Sequence, residues 1–352
     1  MLPDMEFYRG RKVLVTGHTG FKGAWLCRML VNAGAAVAGY ALDPPTDPAL
    51  YDLAGLDGRM ESVIGDIRDL KRLKETFEQT QPEIVFHLAA QPIVRESYRD
   101  PRLTYETNVM GTVNLLECVR STPSVKSVLN VTTDKVYLND EKGRAFREED
   151  PLDGFDPYSN SKSCSELVTH SYIRSFFAAE DSPAVSTVRA GNVIGGGDFA
   201  ADRLIPDCVR AVRDRKVIGV RNPDSVRPFQ HVLEPLAVYL LIAQKQYEDR
   251  RYAGFYNAGP DDRDCLPAGE LAELFCRCWG EGAAWEARAE ENAPHEAGTL
   301  RLDCGKLKRV FGWEPRWHME ECMEKVCRFS RVWLDGGDIP AEMDREIGEF
   351  LA

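Results

Sequence analysis

The feature that most constrains this chain lies near its start. An apolar run, Lys12 to Thr16 (KVLVT), passes directly into Gly17-His18-Thr19-Gly20-Phe21-Lys22-Gly23. A segment with helical spacing follows, with Leu26 and Leu30 one turn apart and Gly34 as its stop. Glycines at this spacing between a strand and a helix let the backbone approach a pyrophosphate. The helix N-terminus adds free N–H groups and a partial positive charge. The pattern predicts a dinucleotide-binding turn, with Gly17, Gly20 and Gly23 as its cradle and Phe21 and Lys22 opening the helix. His18 follows the first glycine and is expected to crowd the dinucleotide or to reach its phosphate or adenosine end.

Strand and helix signals then alternate at short intervals. Ala36 to Ala41 and residues 62–64 read as strands, and Leu70, Leu73 and Phe77 mark a helix face ended by Gln81-Pro82. Residues 83–88 are a further apolar run, 102–120 read as helix and 127–132 as strand. Asp156-Pro157 opens a long helix, since Asp can cap it and Pro suits its first turn. Residues 184–189 close the series. Such alternation predicts an α/β fold, a doubly wound parallel (Rossmann) sheet with helices on both faces. Beyond residue 190 the pattern loosens. Residues 1–190 are expected to form the dinucleotide-binding domain, with segments returning near 228–258. Residues 191–227 and 259–352 are expected to form a smaller C-terminal lobe that binds substrate.

Composition narrows the partners. The 352 residues carry 44 Lys and Arg against 56 Asp and Glu, a net charge of −12, which argues against nucleic acid because phosphate backbones need a basic face. No apolar run has the length of a membrane span, and the N-terminus lacks the apolar core of a signal peptide. The ten cysteines form no C-x-x-C pair and the six histidines are scattered, so reduced thiols, a cytoplasmic location and no metal site are expected.

Two constellations carry chemistry. Tyr158 and Lys162 stand four apart on the long helix and so share one face; an ammonium near a phenol lowers its pKa and makes a base of it. The strand 127–132 ends in Thr132-Thr133-Asp134-Lys135, at the carboxyl end where parallel sheets form their crevice. A hydroxyl, an acid and an amine together there look like machinery for moving protons. Asp66, after the third strand, is placed to meet an adenine amino group. The expected ribose-binding acid at the tip of the second strand is missing: Ala41 takes that position, with Asp43 two residues on.

These residues resemble the extended short-chain dehydrogenase/reductases, and within them the nucleotide-sugar 4,6-dehydratases of the CDP-glucose branch. The stretches 17–25 (GHTGFKGAW), 39–46 (GYALDPPT), 87–92 (HLAAQP), 227–232 (RPFQHV) and 294–297 (PHEA) carry the likeness, which covers nearly the whole chain. The resemblance implies NAD as cofactor, with Asp66 and Ile67 at the adenine. It puts Leu88, Ala89, Ala90 and Thr132 along the cofactor cleft, supported by Asn108 and Lys162. It makes Thr133, Tyr158 and Lys162 the redox triad and puts Asp134 and Lys135 at the positions of the elimination pair, where many relatives carry Asp-Glu. It assigns Ser97, Asn192, Arg203 and Arg227 to the sugar nucleotide, CDP-glucose. An epimerase of the same fold needs no acid after the threonine, and a non-catalytic scaffold needs neither Tyr158 nor Lys162. A homodimer is implied, paired through the helices 102–120 and 157–179 with Val109, Val113, Leu116, Leu167 and Tyr172 as apolar surface.

Overall fold

The computed structural model describes residues 1–288 and 298–352, so the stretch 294–297 lies outside the described residues. Seven parallel strands form one sheet: β1 (Lys12–Thr16), β2 (Ala36–Ala41), β3 (Glu61–Ile64), β4 (Ile84–His87), β5 (Ser127–Val131), β6 (Ala184–Ala190) and β7 (Phe255–Ala258). Their spatial order is β7-β6-β5-β4-β1-β2-β3. The order reverses between β1 and β4, so the connections leaving these two strands part to opposite sides and open a crevice at their carboxyl ends.

Side-chain alternation explains why both faces are covered. Val13 and Val15 of β1, Phe86 of β4 and Leu129 of β5 point into one core, with Trp25 and Leu26 of the helix Phe21–Asn32 and Leu236 and Leu240 of the helix Leu233–Glu248. Leu14, Val85 and Val128 point the other way, onto Leu73 and Phe77 of the helix Leu70–Thr80 and Leu115 and Val119 of the helix Gly111–Arg120. The strands are therefore apolar at successive residues, as a sheet buried on both faces requires.

Local signals set the helix ends. Asp69 caps the helix Leu70–Thr80 through the Arg72 N–H, and Gln81 ends it in a left-handed turn, φ 46°, before Pro82. Asp156 accepts from the Ser159 N–H at 3.0 Å to start the helix Pro157–Phe176. The helical stretch 102–120 differs in one respect from a regular helix: residues Glu106–Met110 form a π turn between the helices Pro101–Tyr105 and Gly111–Arg120. Such turns concentrate near functional sites, and this one carries Asn108.

The C-terminal half returns to the sheet and then covers it. Leu233–Glu248 lies behind β5, where Ser127 donates to the Ala243 carbonyl at 2.9 Å, and β7 extends the sheet beside β6. The final helix, Ile339–Leu351, packs against the first, with Arg28 paired to Asp344 at 2.5 Å. Among the described residues no helix is long and apolar enough to cross a membrane. All ten cysteines are free.

Candidate active site

A cleft of about 920 Å³ runs over the carboxyl ends of the strands, from the glycine turn to Gly219 and Val220 in the C-terminal half. Its first end is built by the turn after β1. Gly17 adopts φ 76°, and a Cβ there would stand 2.7 Å from the Ala89 nitrogen. A Cβ on Gly23 would stand 2.1 Å from the Gly17 carbonyl oxygen. Gly20 opens the helix Phe21–Asn32 with no side chain capping it, so the first N–H groups of that helix point into the cleft. The cradle fits the pyrophosphate of a dinucleotide. Gly23→Ala is expected to cost about 1–3 kcal/mol by overpacking and to lower the melting temperature in a calorimetric scan. An unchanged transition would mean that the turn re-forms around the methyl group.

Most residues singled out in the sequence line this cleft. Gly17, Gly20, Phe21, Lys22 and Gly23 form one end, and Asp66, Ile67, Leu88, Ala89 and Ala90 its flank. Thr132, Thr133, Asp134, Lys135, Tyr158 and Lys162 form the middle, and Asn192, Arg203 and Arg227 the far wall. Asp66 arrives already engaged: it accepts from Arg68 Nη2 at 2.6 Å and Nε at 3.0 Å, and this hydrogen bonding holds its carboxyl below the ordinary value against the opposing effect of burial.

Three side chains are placed elsewhere. His18 turns away from the cleft into the space left by Gly39, where its Nε2 meets Ser62 Oγ at 2.7 Å and its ring stands edge-on to Tyr51. Burial lowers its pKa to about 4, so it is a neutral core histidine and its side chain does not reach a dinucleotide. Ser97 is fully buried and donates to the Val94 carbonyl of its own helix at 2.6 Å, which removes it from any substrate contact. Asn108 stands one layer behind the wall: its Oδ1 accepts from the Gln91 N–H at 2.8 Å, and its Nδ2 donates to Ser161 Oγ at 2.9 Å. It fixes the loop after β4 to the Tyr158 helix.

At the centre, Tyr158 lies one helical turn before Lys162. Lys162 Nζ donates to the Val131 carbonyl at 3.1 Å. Burial lowers Lys162 to about 8, with Glu166 opposing. Burial raises Tyr158 to about 12 against a hydrogen bond shared with Thr133. The expected lowering of the phenol by its lysine is therefore absent in the chain alone: desolvation outweighs the groups that lower it, Thr133 and Arg203. Thr133 Oγ1 donates to Asp134 Oδ1 at 2.9 Å, and Lys135 Nζ stands 3.6 Å from that oxygen and donates to Asn192 Oδ1 at 3.3 Å. Asp134 Oδ2 is buried with no partner among the described residues. An oxygen left so is costly unless a ligand hydroxyl completes it.

Lys22, Lys135, Lys162, Arg203 and Arg227 line the cleft along its length, although its lining as a whole carries as many acids as bases. Lys22 is lowered to about 7, first by burial and then by Arg203 and Lys162, against the pull of Asp134. Arg203 is paired to Asp198 at 3.0 Å, and Arg227 donates to the Val226 and Gly298 carbonyls at the far wall. Such a site suits an anion of low charge density such as a diphosphate.

Two further residues, Glu166 and Arg189, are fully buried behind the wall that bears Thr133 and Lys162 and were not singled out in the sequence. The signal for Glu166 is its spacing: Tyr158, Lys162 and Glu166 follow at intervals of four along one helix face.

Comparison with known proteins agrees with this geometry. Residues 14–326 match the family model described as GDP-mannose 4,6 dehydratase. A CDP-glucose 4,6-dehydratase of Salmonella typhimurium is 46% identical over 99% of this chain and 98% of its own. A probable dTDP-glucose 4,6-dehydratase of Sinorhizobium fredii is 28% identical over 93% of both chains. Among solved structures, a dTDP-glucose 4,6-dehydratase from Streptomyces venezuelae, with NAD and TYD bound, superposes with a TM-score of 0.78 at 24% identity, covering 93% of this chain and 98% of that one. The extent of the family match, together with a full-length relative at this identity, shows that the chain belongs to the GDP-mannose 4,6 dehydratase family.

Proposed function

We propose that this protein dehydrates CDP-glucose to CDP-4-dehydro-6-deoxyglucose with tightly held NAD. The observation that carries the reading is one wall of one cleft. It bears Thr133, Tyr158 and Lys162 together with a buried acid, Asp134, whose second oxygen awaits a hydrogen-bond partner, and an amine, Lys135. Oxidation alone needs the first three; removal of water needs an acid and a base as well. The nucleobase follows the Salmonella relative.

Gly17, Gly20 and Gly23 would hold the cofactor pyrophosphate, with Asp66 and Ile67 toward the adenine and Leu88, Ala89 and Ala90 along its length. A bound nicotinamide would supply the hydride acceptor for oxidation at sugar C4 and the hydride donor for reduction at C6. Asn192, Arg203 and Arg227 hold the substrate diphosphate. Tyr158 takes the C4 hydroxyl proton while Thr133 hydrogen-bonds that oxygen. The resulting C4 ketone acidifies the C5 proton, which Lys135 accepts after passing its own proton to Asp134 across the 3.6 Å that separates them. Asp134 protonates the C6 hydroxyl, which leaves as water. A proton returns from Lys135 to C5 as C6 becomes a methyl group, and the proton that Tyr158 took replaces the one Asp134 gave to the leaving water, so hydride and protons balance over the cycle. The test is incubation with CDP-glucose, reading loss of water and formation of a 4-keto sugar.

The protein acts in this reading as a cytoplasmic homodimer. Met110 and Leu167, each 50% exposed on the helices expected to pair, supply apolar surface, beside half-buried Val109 and Val113. Leu116 is not part of it, because it is fully buried beneath the sheet. Tyr172 is half-buried and bonded to Glu117 at 2.9 Å. Light scattering at micromolar concentration should return twice the 39.5 kDa chain mass; a monomer mass would refute the pairing.

A further inference from the structure

The segment Thr133 to Val136 carries the proposed proton chemistry, and it is gripped on both sides by one buried ion pair. Glu166 and Arg189 are both fully buried, and Arg189 donates to the Glu166 carboxylate from Nη2 at 2.9 Å and from Nε at 3.1 Å. Thr132, immediately before the segment, donates its hydroxyl to Glu166 Oε1 at 2.5 Å. Tyr137, immediately after it, accepts from Arg189 Nη1 at 2.8 Å and donates to Asn257 Oδ1 at 2.6 Å. The same helix reaches this wall twice more. Lys162 donates to the Val131 carbonyl at 3.1 Å and Ser163 to the Val136 carbonyl at 2.7 Å. Glu166 stands one helical turn beyond Lys162, on the same face.

We propose that Glu166 is a positioning residue of this site, which holds Thr133 and Asp134 in register through Thr132 and the Arg189–Tyr137 arm, and which supplies the anion that supports the Lys162 ammonium. This rests on the reading above of Tyr158 and Lys162 as the proton-handling pair. The charges around the two groups agree with the assignment. Lys162 faces Glu166 on its own helix, one turn beyond it, with His87 on β4 and Lys22 on the first helix; Glu166 is the anion among them that raises it. His87 is lowered to about 3 by burial and by Lys162, so it adds no charge. Glu166 faces Arg189 and Thr187 on β6, Thr132 after β5, and His170 on its own helix at 3.4 Å. Burial would raise its carboxyl, but Arg189 and the hydrogen bonds outweigh that and hold it at about 2, so it stays an anion across the working range.

The sign of the effect follows. Burial already brings Lys162 down toward neutrality, and Glu166 opposes that fall. Removing the Glu166 charge lets Lys162 lose its proton at lower pH, so the alkaline limb of turnover must move down with it. A purely structural role would lower activity without moving that limb.

The experiment uses Glu166→Gln and the charge-balanced Glu166→Gln/Arg189→Gln, with circular dichroism and thermal melts as folding checks. The readout that needs no substrate is the titration of Lys162 by ¹⁵Nζ NMR in the full chain, assigned with Lys162→Met. The expected result is proton binding at Lys162 weakened tenfold or more in each folded variant, with the alkaline limb of kcat displaced by the same factor. An unmoved Lys162 midpoint in a folded variant overturns the proposal, and so does failure of both variants to fold, which would assign a structural role alone. Because the titration is read without substrate, it stands apart from the identity of the sugar nucleotide: absent turnover of CDP-glucose by the unaltered protein would count against that reading and not against this one.

Discussion

Tyr158→Phe lowers kcat for CDP-glucose by about 10²–10⁴-fold, the range that a positioned general base contributes. In the proposed mechanism the phenol accepts the C4 hydroxyl proton, and its neighbours are otherwise engaged. Thr133 is a hydroxyl already donating to Asp134, and Lys162 is held on the Val131 carbonyl. Phenylalanine keeps the ring and its burial, so the fold should be retained and the loss assigned to the oxygen. In the same variant the transient absorbance of reduced cofactor should vanish, because hydride cannot leave C4 while its hydroxyl keeps the proton. A variant that retained this transient at the unaltered rate would remove Tyr158 from the oxidation step.

Lys135→Met separates the second half-reaction from the first. Lys135 is close to the redox residues but not among them: its side chain is 23% exposed, and its Nζ lies 3.6 Å from Asp134 and 3.3 Å from Asn192. Methionine approximates its length without the nitrogen. C4 oxidation should persist, visible as reduced cofactor that now accumulates, while exchange of the C5 hydrogen with deuterated solvent and loss of water both fall by about 10²–10⁴-fold. The asymmetry is the informative part, since damage to the wall as a whole would suppress both halves together. C5 exchange at the unaltered rate in this variant would show that Lys135 is not the base and leave it the ion pair with Asp134 or stabilisation of the enolate oxygen.

The legible and illegible parts of the molecule divide by the range of the forces involved. The strand–glycine–helix turn, the Asp156 cap and the Gln81 stop are each decided by a few consecutive residues, and each was readable as a string. The cleft wall after β5 was readable too, because a parallel sheet puts its loops in a known place. His18 was misplaced because its direction is set by residues distant in the chain: Gly39 leaves the space, and Ser62, 44 residues away, supplies the partner. Ser97 was misplaced because a serine inside a helix can satisfy itself on the carbonyl three residues back, as it does on Val94. The Glu166–Arg189 pairing was hidden for a different reason: spacing puts Glu166 on the face of Tyr158 and Lys162, but nothing in the string marks Arg189 as its partner. Each residue sits in an ordinary helix or strand context, and only folding brings Thr132, Tyr137 and Thr187 around them. The raised phenol of Tyr158 likewise depends on burial, which spacing does not report.

In the proposed reaction one cleft oxidises C4, eliminates water across C5 and C6, and does so on a cytidine nucleotide. It is tested most directly by turnover of CDP-, dTDP-, UDP- and GDP-glucose with the same enzyme preparation, following the alkali-induced absorbance of the 4-keto sugar. The account predicts that CDP-glucose gives this chromophore with a kcat/KM roughly tenfold or more above the others, a preference within reach of a few hydrogen bonds to a base edge. It also predicts that the product carries a C6 methyl group. No chromophore from CDP-glucose with folded, cofactor-loaded protein, or accumulation of the C4 epimer in its place, would contradict it.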